Sequence, residues 1–251
     1  MAKPILVANW KNHPDSLEKV SEILKGLSKN ITLYKKLNFF VASPLVYLET
    51  VSKKIRTFGN LAVQDIPLMY DGTYTGEISV HMLKSLGVRL SIIGHSERRA
   101  LGETNEVVNH KIKNCLRAGI VPLLCVGEKD RGIDGENFEF IREQLVASLY
   151  KIKKENIQKI IIAYEPVWAI GKKAKDAMSP ADTEQTVIFI KKVLTDIYNR
   201  ETAERVSILY GGSVEPGNAS AIFDTGIDGF LVGHSSLDAK SFVKIASSIN
   251  I

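Results

Sequence analysis

The sequence predicts an α/β fold, a single (β/α)8 barrel of eight parallel strands with outer helices, occupying residues 1–251 as one domain. Three observations lead there. Eight short runs of β-forming residues recur, each nearly continuously apolar instead of alternating, which suits strands buried on both faces. Amphipathic segments with helix-start signals separate them. No Ser/Gly linker, low-complexity tract or composition break divides the 251 residues, and a barrel of this kind takes about 250.

The first run is Ile5 to Ala8 and the second Phe39 to Ala42. Between them Asp15, with Glu18 three residues on, is a capping-box pattern that predicts a helix start. Ser43-Pro44 predicts another, an N-cap ahead of a proline in the first turn. The third and fourth runs are Leu61 to Gln64 and Leu90 to Ile93. Val108, Ile112 and Cys115 then form an i, i+4, i+7 stripe that Gly119 ends. The fifth run is Val121 to Val126 and the sixth Ile160 to Tyr164, followed by a helix start at Ser179-Pro180 with Asp182. Ser207 to Tyr210 and Phe230 to Val232 complete the set. A doubly wound sheet would carry a Gly-rich fingerprint after its first strand, and Ala8-Asn9-Trp10-Lys11 is nothing like one.

Composition narrows the function classes. With 45% hydrophobic and 24% charged residues the chain is ordinary for a soluble globular protein. The N-terminal MAKPILVANW lacks the apolar length and cleavage pattern of a signal peptide, and no window approaches eighteen uninterrupted apolar residues, so a cytoplasmic location is expected. Cys115 and Cys125 cannot build a disulfide framework, and neither has zinc-site spacing. The net charge of +5 comes from scattered lysine pairs such as Lys35-Lys36 and Lys153-Lys154, without interleaved aromatics. It suits attraction of a small anionic substrate better than nucleic acid.

In such a barrel the active site lies at the C-terminal strand ends. The residues there are Asn9 and Lys11 after the first run, His95 and Glu97 after the fourth and Glu165 after the sixth. Gly211-Gly212-Ser213 follow the seventh and Gly233-His234-Ser235 the eighth. Glu165, beside Pro166 and under the apolar Trp168, reads either as a structural carboxylate or as one whose desolvation makes it a base. His95 is either a structural hydrogen-bonder or, near a helix N-terminus, a neutral donor able to polarise a carbonyl. Lys11 is either solvated or balances an anion. The Gly turns after strands seven and eight stand where this architecture usually binds phosphate. The five histidines lack metal-ligand spacing, so no metal is expected. No nucleophile elbow and no cofactor motif is evident. The set fits proton abstraction next to the carbonyl of a phosphorylated sugar.

Seven blocks resemble the triosephosphate isomerase family in order along the chain: Asn9-Trp10-Lys11, Tyr74-Thr75-Gly76-Glu77, Gly94 to Arg99, Cys125 to Glu128, Ala163 to Gly171, Tyr210 to Val214 and Leu231-Val232-Gly233. The resemblance implies cofactor-independent interconversion of dihydroxyacetone phosphate and D-glyceraldehyde 3-phosphate through an enediol(ate), in glycolysis and gluconeogenesis. It implies Glu165 as the base, His95 as the carbonyl polariser, Lys11 as the cation and Asn9 as an oxygen-binding donor, with Glu97 orienting Lys11. Phosphate would be held by backbone N–H groups of Gly171, Ser213, Gly233 and His234, with Trp168, Ile170 and Tyr210 supporting the site and a Val167 to Ile170 lid tip closing over the reacting carbons. Thr75 would sit at the tip of a loop that crosses into a second subunit of a homodimer. Lys172 to Met178 are about two residues longer than the family's usual hinge. His234 stands where a second Gly is common, and Asp65 where Asn is usual. Two other functions share these residues: an isomerase of a four-carbon sugar phosphate, and a non-catalytic sugar-phosphate-binding protein. The second would be expected to lack one of Lys11, His95 and Glu165, and all three are present.

Overall fold

The computed structural model describes residues 3–130, 136–171 and 178–249. The eight strands are β1 (Ile5–Asn9), β2 (Asn38–Ser43), β3 (Asn60–Val63), β4 (Val88–Ile93), β5 (Val121–Val126), β6 (Ile161–Tyr164), β7 (Ile208–Tyr210) and β8 (Gly229–Val232). Each pairs in parallel with the next, and β8 returns to β1 with Leu231 opposite Val7, which closes the barrel. The connecting helices are α1 (Leu17–Ser28), α2 (Ile31–Tyr34), α3 (Leu48–Ile55), α4 (Val80–Ser85), α5 (Ser96–Ala100) and α6 (Asn105–Ala118). After β5 come α7 (Glu136–Ser148), α8 (Lys154–Ile157), α9 (Pro180–Ile197), α10 (Arg200–Glu204), α11 (Ala219–Phe223) and α12 (Ala239–Ser248).

The near-continuous apolar runs are explained by two cores on opposite faces of the same strands. Ile5, Val7, Ala42, Ala62, Leu90, Ile92, Leu123, Cys125, Ala163, Leu209 and Leu231 fill the barrel interior. Their sequence neighbours Leu6, Ala8, Val41, Leu61, Val63, Leu124 and Ile162 join the larger core beneath the helices. With both faces buried, neither parity of a strand can be polar. The helices supply the other half with one apolar stripe each: in α1, Val20, Ile23, Leu24 and Leu27 are buried at i, i+3, i+4 and i+7.

All eight predicted runs coincide with strands. The α6 stripe of Val108, Ile112 and Cys115 is buried, and Gly119 caps it at φ 72°, its N–H reaching the Cys115 and Leu116 carbonyls. Ser179 caps α9 as expected, accepting from the Asp182 N–H. Two helix starts differ. The cap of α1 is Ser16, whose hydroxyl accepts from the Lys19 N–H, while Asp15 forms a surface pair with the Lys19 ammonium. Ser43 remains in β2, paired with Val63, and α3 begins only at Leu48 after a 3-10 turn over Leu45–Tyr47. The sheet ladder there outcompetes the cap. Of the atypical hinge, Lys172 to Ala177 lie outside the described residues.

Candidate active site

The C-terminal ends of β1, β4, β6, β7 and β8 surround one cavity of about 310 Å³. Asn9, Lys11, His95, Glu165, Ile170, Gly171, Ser213, Gly233 and His234 all line it, although they come from five different loops. Parallel strands in a closed barrel bring these ends together whatever their separation in sequence.

The first loop is built around an unusual backbone. Lys11 adopts φ 51°, which costs a non-glycine residue about 1–2 kcal/mol. Asn9, buried at the end of β1, holds the turn by accepting the Lys11 N–H at 3.0 Å. From β3, Gln64 donates its amide to the Lys11 carbonyl at 2.8 Å and to the Ala42 carbonyl at 3.1 Å. The ammonium so placed meets Glu97 Oε1 at 2.5 Å.

His95 is the N-cap of α5, and its Nδ1 accepts the Glu97 N–H at 3.2 Å. That bond occupies the Nδ1 lone pair and leaves the ring proton on Nε2, which faces the cavity as a donor. The preceding Gly94 has φ 69°, and a Cβ there would press to 2.9 Å from Arg99 and 3.0 Å from Val108. Arg99 fixes this corner, donating to the Gly94 carbonyl at 2.7 Å and to Asn105 Oδ1 at 2.6 Å. Burial pushes the Arg99 pKa down, opposed by nearby negative charge including Glu165.

Glu165 is 2% exposed. Its N–H continues the β5 ladder to the Val126 carbonyl at 2.8 Å. Gly127 touches it so closely that a Cβ would lie 1.8 Å from the Glu165 carbonyl oxygen. Carboxylate Oε2 accepts the Ser96 N–H at 3.0 Å. Oε1 lies 3.1 Å from His95 Nε2 and accepts no hydrogen bond among the described residues. A buried carboxylate oxygen with an unused lone pair beside an imidazole nitrogen has the geometry that a base next to an electrophile requires. Beneath it, burial first and the Glu165 charge second hold the Cys125 thiol protonated, well above its ordinary pKa.

The far end of the cavity is backbone. The N–H groups of Gly171, Ser213 and His234 donate to nothing among the described residues. Ser213 ties this end to the segment after β6 by donating its hydroxyl to the Ala169 carbonyl at 2.9 Å. Tyr210 is fully buried under the Gly212 turn, where a Cβ would come within 2.4 Å of the phenol oxygen.

Three of the expected supporting residues, Glu97, Thr75 and Trp168, lie outside the cavity lining. Glu97 is largely exposed and reaches the site through Lys11. Thr75 is exposed on the loop between β3 and α4. Trp168 does not cover Glu165: the 3-10 turn Val167–Ala169 sends its indole N–H to Glu128 Oε1 at 2.7 Å. Glu128 also accepts the Tyr164 hydroxyl at 3.0 Å. Of the expected lid tip, Ile170 lines the cavity while Val167 and Trp168 do not. Gln64, Ser96 and Arg99 are functional neighbours that sequence reading missed; Gln64 alone left a signal, as a polar residue closing an apolar run.

The family model described as "Triosephosphate isomerase" matches residues 4–249. Among curated relatives, the chain is 39% identical over 254 residues to the triosephosphate isomerase of Dictyoglomus thermophilum, covering 99% of this chain and 100% of that protein. It is 40% identical over 253 residues to that of Thermoanaerobacter sp. (strain X514), covering 98% and 100%. To that of Flavobacterium johnsoniae it is 37% identical over 254 residues, covering 99% and 100%.

Proposed function

The chain belongs to the triosephosphate isomerase family, and we propose that it interconverts dihydroxyacetone phosphate and D-glyceraldehyde 3-phosphate by moving a proton between adjacent carbons. The observation that carries this reading is Glu165 Oε1, buried, in no aligned hydrogen bond among the described residues, and 3.1 Å from His95 Nε2. The family is itself the type case of a glutamate base working beside a neutral histidine.

With substrate bound, Glu165 takes the proton from the carbon next to the carbonyl. His95 Nε2–H donates to the carbonyl oxygen, so the developing negative charge meets a positioned donor. Lys11 balances the remaining charge, and Asn9 adds a second donor through its side-chain amide. Glu165 then returns the proton to the neighbouring carbon while the hydroxyl proton passes through His95. The backbone N–H groups of Gly171, Ser213, Gly233 and His234 hold the phosphate. Their grip is remote from the reacting carbons, so it can be used to fix orientation and exclude water. No step calls for a cofactor or metal.

A homodimer is part of the same reading. What supports it is a set of exposed apolar side chains beside the Thr75 loop and elsewhere on the strand-end face, Val46 at 81%, Leu101 at 80% and Tyr74 at 48%. A cytoplasmic location is supported by two free buried cysteines and by a lack, among the described residues, of any helix long and apolar enough to cross a membrane.

A coupled assay offering the triose phosphates and a four-carbon ketose phosphate tests the substrate. Turnover that prefers the four-carbon substrate would replace this reading with its rival. For the assembly, a monomer mass in sedimentation at micromolar concentration would remove the dimer.

A further inference from the structure

The candidate site does not end at the phosphate loops. His13, His234 and Leu237 line its cavity and also line a second one of about 1050 Å³. This second cavity is a groove between α1 and α12, with Ile23, Leu237 and Val243 among its apolar lining. Five lysines border it: Lys19, Lys25 and Lys29 from α1 and its end, Lys240 and Lys244 from α12. The carboxylates nearby are largely engaged. Asp15 pairs with Lys19 at 2.8 Å. Asp238 accepts the Ser241 N–H at 2.7 Å as the N-cap of α12. Its carboxyl is held below the ordinary range by the Ser241 hydrogen bonds first and by Lys240 and Lys244 after them. Glu22 is the third carboxylate of the lining. Among the described residues Lys25, Lys29, Lys240 and Lys244 form no ion pair.

We propose that this groove is a second anion subsite, which takes the distal phosphate and apolar linker of a small linear bisphosphate whose other phosphate occupies the substrate-phosphate position. Ammonium groups bind phosphate oxygens as point charges, and an apolar floor between them suits the carbon skeleton joining two phosphates. A triose carries one phosphate and has no group to place there. The groove therefore selects a longer, doubly charged molecule, and that molecule competes with substrate because it shares the phosphate loops. The proposal rests on the reading that the N–H groups of Gly171, Ser213, Gly233 and His234 hold the substrate phosphate.

The test compares two inhibitors of the intact enzyme at low ionic strength: hexyl phosphate, and hexanediol bisphosphate with its phosphates at opposite ends. Both are expected to compete with the triose phosphate, the bisphosphate with an inhibition constant at least about four-fold lower, since each of four exposed charge contacts contributes only a small factor. Replacing the four unpaired lysines by glutamine (Lys25→Gln, Lys29→Gln, Lys240→Gln, Lys244→Gln) is expected to bring the two constants within about two-fold while kcat is unchanged. All four are exposed, so single and paired variants fold even where the quadruple one does not, and they lose part of the preference. Equal inhibition by the two compounds, or a preference that survives the substitutions, would overturn the groove assignment alone. Failure of both compounds to compete would overturn the phosphate assignment, and the groove with it.

Discussion

Gln64→Met tests whether the reach of Lys11 depends on a clamp from β3. Methionine matches glutamine in length and removes both donors. The wild-type amide makes two hydrogen bonds, at 2.8 Å to Lys11 and 3.1 Å to Ala42. Each is worth about 0.5–1.5 kcal/mol net, so the pair contributes about 1–3 kcal/mol. That is enough to hold Lys11 at φ 51°, a conformation that costs about 1–2 kcal/mol. Without it Lys11 relaxes toward ordinary backbone, and its ammonium leaves the position now marked by the 2.5 Å contact with Glu97. Losing about 1–3 kcal/mol of transition-state stabilisation lowers kcat/KM by about 5- to 150-fold, since 1.36 kcal/mol is a factor of ten. The melting temperature falls by about 2–4 °C for each kcal/mol in a chain of this size. The kinetic readout separates positioning from simple support. A melting temperature that falls while kcat/KM stays within two-fold would refute the clamp, because the contact would then matter to the fold and not to Lys11.

Three further outcomes follow from the geometry. Glu165→Asp withdraws the carboxylate by about one C–C bond and is expected to lower kcat by about 10²- to 10⁴-fold with little change in KM, since the phosphate end is untouched; near wild-type turnover would take Glu165 out of the chemistry. Gly127→Ala puts a Cβ 1.8 Å from the Glu165 carbonyl oxygen, so it is expected to cost about 1–3 kcal/mol or more in urea unfolding and to lower kcat as well. Burial pushes the Asp65 carboxyl above the ordinary carboxylate range, an effect that its hydrogen bonds to Lys111 only partly offset. A carboxylate whose folded pKa is raised loses stability as pH rises through that folded value, and the loss is complete above it. Wild-type stability is therefore expected to fall as pH rises from the ordinary carboxylate range through the folded value, and Asp65→Asn, which has no proton to lose, is expected to flatten that part of the pH profile. Thermal melts in which variant and wild type change in parallel across that range would mean that burial does not govern the Asp65 carboxyl.

The barrel was legible because burial on both faces leaves few polar residues within the strands, and eight such runs recur in 251 residues. Helix starts were less legible because local chemistry offers adjacent solutions. Asp15 and Ser16 both make good caps, and Ser16 is chosen because its hydroxyl meets the Lys19 N–H while Asp15 is drawn to the Lys19 ammonium. In the site, residues at strand ends could be gathered from the fold alone. Their partners could not: Gln64 lies 53 residues from Lys11, and the Ser96 N–H lies 69 residues from Glu165.

Trp168 shows the limit from the other direction, because closeness in sequence suggested a contact that the backbone forbids. Three residues after Glu165, in a loop, an indole was expected to shield the carboxylate. A 3-10 turn advances about 120° per residue, so Val167–Ala169 carries the ring away from the cavity, and its N–H finds Glu128, 40 residues earlier. Two glycine backbones instead lie close against Glu165. Gly127 lies against its carbonyl, and at Gly211 a Cβ would come within 3.0 Å of its Cγ. The apolar loop residues and the Glu165 carboxylate thus share contacts with the segment that follows β5. Glu128 holds Trp168 and Tyr164, Gly127 holds the Glu165 backbone, and the two are consecutive residues. If that peptide unit links them, Trp168→Phe, which removes the indole N–H together with part of the ring, is expected to lower kcat without altering any group that lines the cavity. A kcat equal to wild type would show that the two ends of the loop are independent.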